Sequence, residues 1–157
     1  MLLIRILIIL SLLFSNIGTT EMNNDNILQI LTTANEIIIY NDNNTTSYEP
    51  DNQEFKNITE ELLRLGLNCR EAPAFAVSLH NETISAMESG LWIEFNFGNT
   101  ICHNELPFDS LLIQVVGEYT GFNIIRKYDN KYEGRCFYVD LLETNLNNLE
   151  NLLIATV

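Results

Sequence analysis

The chain contains only two histidines, and each opens the tripeptide His-Asn-Glu: His80-Asn81-Glu82 and His103-Asn104-Glu105. Imidazole and carboxylate are donors that a divalent metal accepts, and two such pairs match the donor count of a tetrahedral site. The same tripeptides are ordinary polar turns, and turns are expected here, with no metal and no cofactor. Cys69, Cys102 and Cys136 offer thiols for nucleophilic chemistry. A Cys–His couple needs its base held beside the sulfur. Cys102 and His103 are consecutive, so on an extended strand their side chains diverge. There is no Gly-x-Ser-x-Gly elbow, no phosphate loop and no Gly-x-Gly-x-x-Gly turn. Its 21 Asp and Glu offer many carboxylate pairs for glycoside chemistry, and nothing singles one out. The expectation is a protein without catalytic residues.

Charge says more. Eight Lys and Arg against 21 Asp and Glu give a formal charge of −13, which disfavours nucleic acid as a partner. Between Glu71 and Ile125 there is no Lys or Arg, while Glu71, Glu82, Glu88, Glu94, Glu105, Asp109 and Glu118 fall in that stretch. The cations Arg126, Lys127, Lys131 and Arg135 follow directly. An acidic sheet face would attract and orient a basic protein. In Leu91–Phe97 the residues Leu91, Ile93, Phe95 and Phe97 share one face, and Trp92 and Glu94 take the other. Trp92, Glu94, Glu105 and Asp109 are therefore the expected partner-binding residues. For Trp92, a core position in a second layer is the competing reading.

The elements that must carry these residues follow from periodicity. Met1–Phe14 is an apolar run with one basic residue, Arg5, followed by Ser15, Gly18, Thr19 and Thr20. It has the form of a signal peptide covering residues 1–20, too short to cross a bilayer comfortably. LLIATV at the end is no retention tetrapeptide, so release as a secreted protein is expected. Asn43, Asn44, Asn57 and Asn81 stand in N-x-Ser/Thr frames, the acceptor pattern of a glycoprotein. In an oxidising compartment one disulfide bond is expected among three cysteines. Cys102 and Cys136 each lie beside a strand-like run and are the favoured pair. Cys69 is left as a buried thiol or as the link of a disulfide-bonded dimer.

Residues 21–157 read as one mostly-β domain. A short helix is predicted around Ile27–Leu31 and a strand over Glu36–Tyr40; the polar segment 41–50 reads as a flexible loop. Asp51–Gly66 reads as a helix, with Asp51 and Glu54 forming a capping box and Gly66 ending it. Phe55, Ile58, Leu62 and Leu65 make its apolar face. Beyond Ala74 the reading is β: Phe75–Leu79, Leu91–Phe97, Leu111–Val116, Phe122–Tyr128 and Cys136–Leu142, with residues 143–155 a last helix or strand. The fold class is mainly β, an antiparallel β-sandwich with one peripheral helix. The alternative is α+β, a helix packed on a curved antiparallel sheet in the cystatin-like manner.

Gly90-Leu91-Trp92-Ile93-Glu94-Phe95-Asn96-Phe97, then Cys102, then Phe108-Asp109-Ser110-Leu111-Leu112-Ile113-Gln114-Val115 resembles part of the poxvirus immune-evasion domain. Glu133-Gly134-Arg135-Cys136-Phe137 resembles that family's step into a later strand. The likeness spans residues 88–142; the helix at 51–66 and the low cysteine count depart from the pattern. It implies a secreted viral β-sandwich of the chemokine-binding-protein type. Such a decoy would sequester a basic chemokine or cytokine, or a cell-surface immune receptor, with Cys102 and Cys136 in structural roles. Gln114-Val115-Val116-Gly117 is similar to the cystatin inhibitory loop, one residue shorter. That likeness implies a secreted protease inhibitor or carrier instead.

Overall fold

The computed structural model describes residues 20–21, 26–42, 44–73 and 76–157. Apart from Thr20, the leader-like segment lies outside them, as do Asn43 and Phe75.

The main sheet is built from β2 (Glu36–Asn41), β3 (Asn44–Tyr48), β4 (Arg70–Ala72), β6 (Leu91–His103), β7 (Leu106–Gln114), β8 (Gly121–Lys127) and β10 (Phe137–Asp140). They run in the order β3-β2-β6-β7-β8-β10-β4, every neighbouring pair antiparallel. A two-residue strand, β1 (Thr20–Glu21), adds in parallel beside Ile101 and Cys102 of β6. A second, two-stranded sheet pairs β5 (Val77–Ser78) with β9 (Gly134–Arg135). The chain is therefore mainly β on an antiparallel sheet, as the strand pattern predicts.

Alternation along the strands creates the core. Ile37 lies opposite Phe95, Ile39 opposite Ile93, Phe95 opposite Leu111, Ile113 opposite Ile124, and Ile124 opposite Phe137. Facing pairs in antiparallel strands share a face, so these residues form one apolar band, and all are buried. At roughly 1.5–3 kcal/mol for each large apolar side chain removed from water, this band dominates stabilisation.

A helical layer closes that face. It consists of α1 (Ile27–Leu31), α2 (Gln53–Gly66) and α4 (Asn147–Ala155), whose buried residues belong to the same core as the sheet band. The core is thus closed in the helix-on-sheet manner, and the second sheet is no more than the β5–β9 pair. Three helices share in the core, where the expected sandwich has one peripheral helix: α1 falls at Ile27–Leu31 as its residues predict, and the 143–155 segment contains a helix rather than a strand. Both are short, so tertiary packing makes them.

Within α2, Phe55, Ile58, Leu62 and Leu65 are buried as their spacing predicts. Its start differs. Asn52, not Asp51, is the cap, and its Oδ1 accepts the Glu54 amide at 2.8 Å. Gly66 is helical and does not terminate α2 by a left-handed turn. It packs on α1, where a Cβ would lie 3.6 Å from that of Leu28.

Three further expectations are corrected. Segment 41–50 contains β3, which pairs along β2 after a turn with Asp42 at φ 51°. Its Asn-Thr-Thr-Ser-Tyr sequence is polar because it is the sheet edge, where charge and hydroxyls are tolerated. His80–Ala86 is helix α3, inside a stretch that reads as β. No disulfide is formed either: Cys69, Cys102 and Cys136 all carry free thiols. Strands β7 and β8 lie between β6, which holds Cys102, and β10, which follows Cys136. Three strand spacings amount to about 14 Å, well beyond the reach of a disulfide. Cys69 is half-buried and accepts a hydrogen bond from Asn26 Nδ2 at 2.8 Å.

Candidate functional site

The second face of the sheet carries Trp92 and Glu94, two of the four residues expected to touch a partner. Tyr40 pairs opposite Trp92, Glu94 opposite Leu112, and Leu112 opposite Ile125, so all five share that face. Trp92, Leu112 and Tyr132 form a small core of their own there, with Tyr40, Met87 and Ile125 packed against it. Trp92 is 4% exposed, and its Nε1 donates to the Ser89 carbonyl at 2.9 Å. Glu94 is 1% exposed. The alternation assigned these two to the correct face, but that face is itself covered. Trp92 and Glu94 are thus interior residues, not exposed contacts.

A buried carboxylate is costly unless its lone pairs are filled. Glu94 Oε2 accepts from the Tyr40 hydroxyl at 2.8 Å and from the Tyr132 hydroxyl at 2.9 Å. Oε1 accepts from Lys127 Nζ at 3.2 Å, and that ammonium sits 4.9 Å from the centre of the Tyr132 ring. Burial first, and the Glu94 carboxylate second, push both phenols well above their ordinary value. Both phenol protons and one ammonium proton are thus given to a single carboxylate.

The two histidines also have structural partners. His80 begins α3, accepts the Tyr132 amide at its Nδ1 (3.2 Å) and stacks on the Tyr132 ring. His103 is 3% exposed rather than in an exposed turn; its Nε2 lies 2.9 Å from Glu71 Oε1 and its ring meets Phe137 edge-on. Glu71 also accepts the Ile27 amide at the start of α1 and the Asn104 side-chain amide. So Glu71 joins the β6 end, β4 and α1 in one latch. The described residues contain no cluster of three or more His, Cys, Asp or Glu able to hold a metal ion.

Nor do the acids make one face. Glu71 and Glu94 serve inside, and Asp109 accepts from Thr100 Oγ1 (2.6 Å) and the Asp129 amide (3.2 Å). Glu105 is exposed at the β6–β7 turn, at φ 64°. Of the glycan acceptors within the described residues, Asn44 and Asn81 are exposed, and Asn57 is half-buried and bonded to Gln53.

What the molecule does leave open is a groove of about 380 Å³ where β5 and α3 lie on the second face. Its walls include Leu79, Thr83, Ala86, Trp92, Ile125 and Cys136, and Glu82 stands at its rim. Val77 is 65% exposed and Leu79 59%, and Ile84 on α3 is exposed as well. Sequence reasoning missed this site because Val77-Ser78-Leu79 alternates like any half-buried strand. A second, wider groove between α2 and α4 is polar, lined by Asn57, Glu60, Glu61, Arg64, Asn148 and Asn151. No helix among the described residues is long and apolar enough to cross a membrane. No family model, no curated protein and no solved structure matches this chain.

Proposed function

We propose that this chain is an exported, non-catalytic binding protein that sequesters a basic extracellular protein of the chemokine or cytokine kind, as an immune-evasion decoy does. The supporting observation is the open apolar groove between β5 and α3 on a chain of charge −13. Exposed Val77 and Leu79 give the apolar centre that an interface needs, and Glu82 is exposed at its rim. The net negative charge of the chain speeds the capture of a basic partner. The ionisable groups at the centre of the fold, Glu94 and His103, are occupied in holding it together. Glycans on exposed Asn44 and Asn81 belong to the same reading.

The inhibitor alternative is less well supported. Its loop, Gln114–Gly117, is packed away: Val115 is buried and its amide donates to the Leu91 carbonyl at 2.8 Å. Gly117 is pressed against the side chains of Asn147 and Glu150 of α4, with no room for a Cβ. A loop held this way is not presented to a protease cleft.

The test is a titration of the secreted chain against a panel of purified basic chemokines and cytokines at low and at physiological salt. Saturable binding, weakened by salt, supports the reading. Absence of binding to every member at low salt contradicts it.

A further inference from the structure

Arg126 is an unusual residue in so acidic a molecule. It lies opposite Leu111 on the helix-covered face of the sheet and is 8% exposed. Its Nε donates to the Arg135 carbonyl at 2.7 Å, and its Nη1 donates to the Pro107 carbonyl. Both acceptors are neutral. The ion pairs among the described residues use Arg64, Arg70, His103 and Lys127, never Arg126. Burial pushes its guanidinium below the ordinary value, and the Cys136 and Cys102 thiols act in the opposite direction. Burial pushes the Cys136 thiol up, so it is protonated at neutral pH and supplies no counter-charge. A guanidinium stays charged throughout the physiological range. Arg126 is thus a largely buried cation whose protein partners are neutral carbonyls, with no carboxylate paired to it.

The remaining nitrogen is where an anion would come. Nη2 has no protein partner, yet every buried polar side-chain atom among the described residues has one. Nη2 therefore keeps some access to solvent. Beside it lies Gly134, at φ 97°, where a Cβ would come within 2.9 Å of Nη2. Glycine keeps this approach open. Arg135 and Lys131 are exposed nearby in sequence and join none of the ion pairs. Their field offsets the repulsion that an anion meets from the rest of the chain.

We infer that Arg126, beneath Gly134, is an oxyanion receptor, taking an oxygen of a carboxylate or a phosphate on Nη2. Such charge-assisted bonds are the strong ones, and the Nε and Nη1 bonds fix the guanidinium plane in advance. The inference is independent of the β5–α3 groove.

The experiment is thermal unfolding of the full chain at constant ionic strength, with sodium chloride replaced stepwise by inorganic phosphate or by acetate. Binding raises the midpoint saturably, by about 3–6 °C at ten times Kd. Phosphate also stabilises proteins by exclusion from their surface, but that effect does not saturate and is shared by Arg126→Gln. The receptor is supported if either anion gives a saturable rise that Arg126→Gln lacks and Gly134→Ala weakens. A response to phosphate alone assigns a phosphate ligand, and one to acetate alone a carboxylate. Equal shifts in the native chain and Arg126→Gln overturn the inference, as does no rise over chloride. Should Arg126→Gln not fold, the Arg126 Nε–H resonance of the native protein decides: it moves saturably with phosphate or acetate if the site exists and stays still if it does not.

Discussion

The two faces of the one sheet solve the burial problem differently. On the helix-covered face Ile37, Ile39, Ile93, Phe95, Leu111 and Ile113 meet α1, α2 and α4 in an apolar layer. On the other, Trp92, Leu112 and Tyr132 surround a carboxylate that ties together β2, β6, β8 and the 128–133 connector. The first arrangement is non-directional and gains stability from area. The second is directional. Two phenols and an ammonium meet Glu94 in only one placement, so the connector, and through His80 the α3 helix, is held in register. Area makes the fold stable, while the polar anchor shapes the groove beside it.

Substitutions should separate these roles. The largest loss is expected at Phe95→Ala, about 3–5 kcal/mol in urea unfolding, because a large ring leaves a cavity in the apolar layer. Glu94→Ala follows, at about 3 kcal/mol, since it strands the hydroxyls of buried Tyr132 and half-buried Tyr40 and the Lys127 ammonium. Near-ultraviolet circular dichroism adds the distinction: Glu94→Ala should change the Trp92 and Tyr132 signals beyond its stability cost. Tyr132→Phe should cost about 1.5 kcal/mol, one hydrogen bond to a charged acceptor.

Alkali tests the same network. Both phenols have folded pKa values raised above the ordinary 10.0, by burial and then by Glu94. In the unfolded chain they lose their protons sooner. Their contribution is therefore complete below about pH 10 and is lost as pH rises beyond it. Urea midpoints should be flat through neutrality and drop in alkali, and Tyr132→Phe should drop less steeply.

Much of the fold was legible because it depends on local period. The face of α2, the alternation in β6 and the continuous apolar run of β7 each carry their own signal. Elements that depend on distant partners were not legible. Strand β3 reads as a polar loop, since an edge strand needs only β2 to hold it. Helix α3 is seven residues without a side-chain cap, and its place under Tyr132 decides its form. At the site, alternation placed Trp92 and Glu94 opposite Ile93. What lies over them comes from residues 80–86 and 128–133, distant in sequence, so their burial could not be read. Val77 and Leu79 escaped notice for the converse reason: they look like core and are left uncovered.

The most direct test compares Leu79→Asp with the native chain in binding to whichever basic chemokine or cytokine the native chain captures. Leu79 is 59% exposed and caps α3 without a side-chain hydrogen bond, so an aspartate there should keep or raise stability, by up to about 1 kcal/mol. A new carboxylate in the apolar centre should nevertheless weaken the complex tenfold or more, with the unfolding midpoint not lowered. Undiminished affinity in Leu79→Asp would place the contact elsewhere on the molecule and contradict the assignment of the β5–α3 groove.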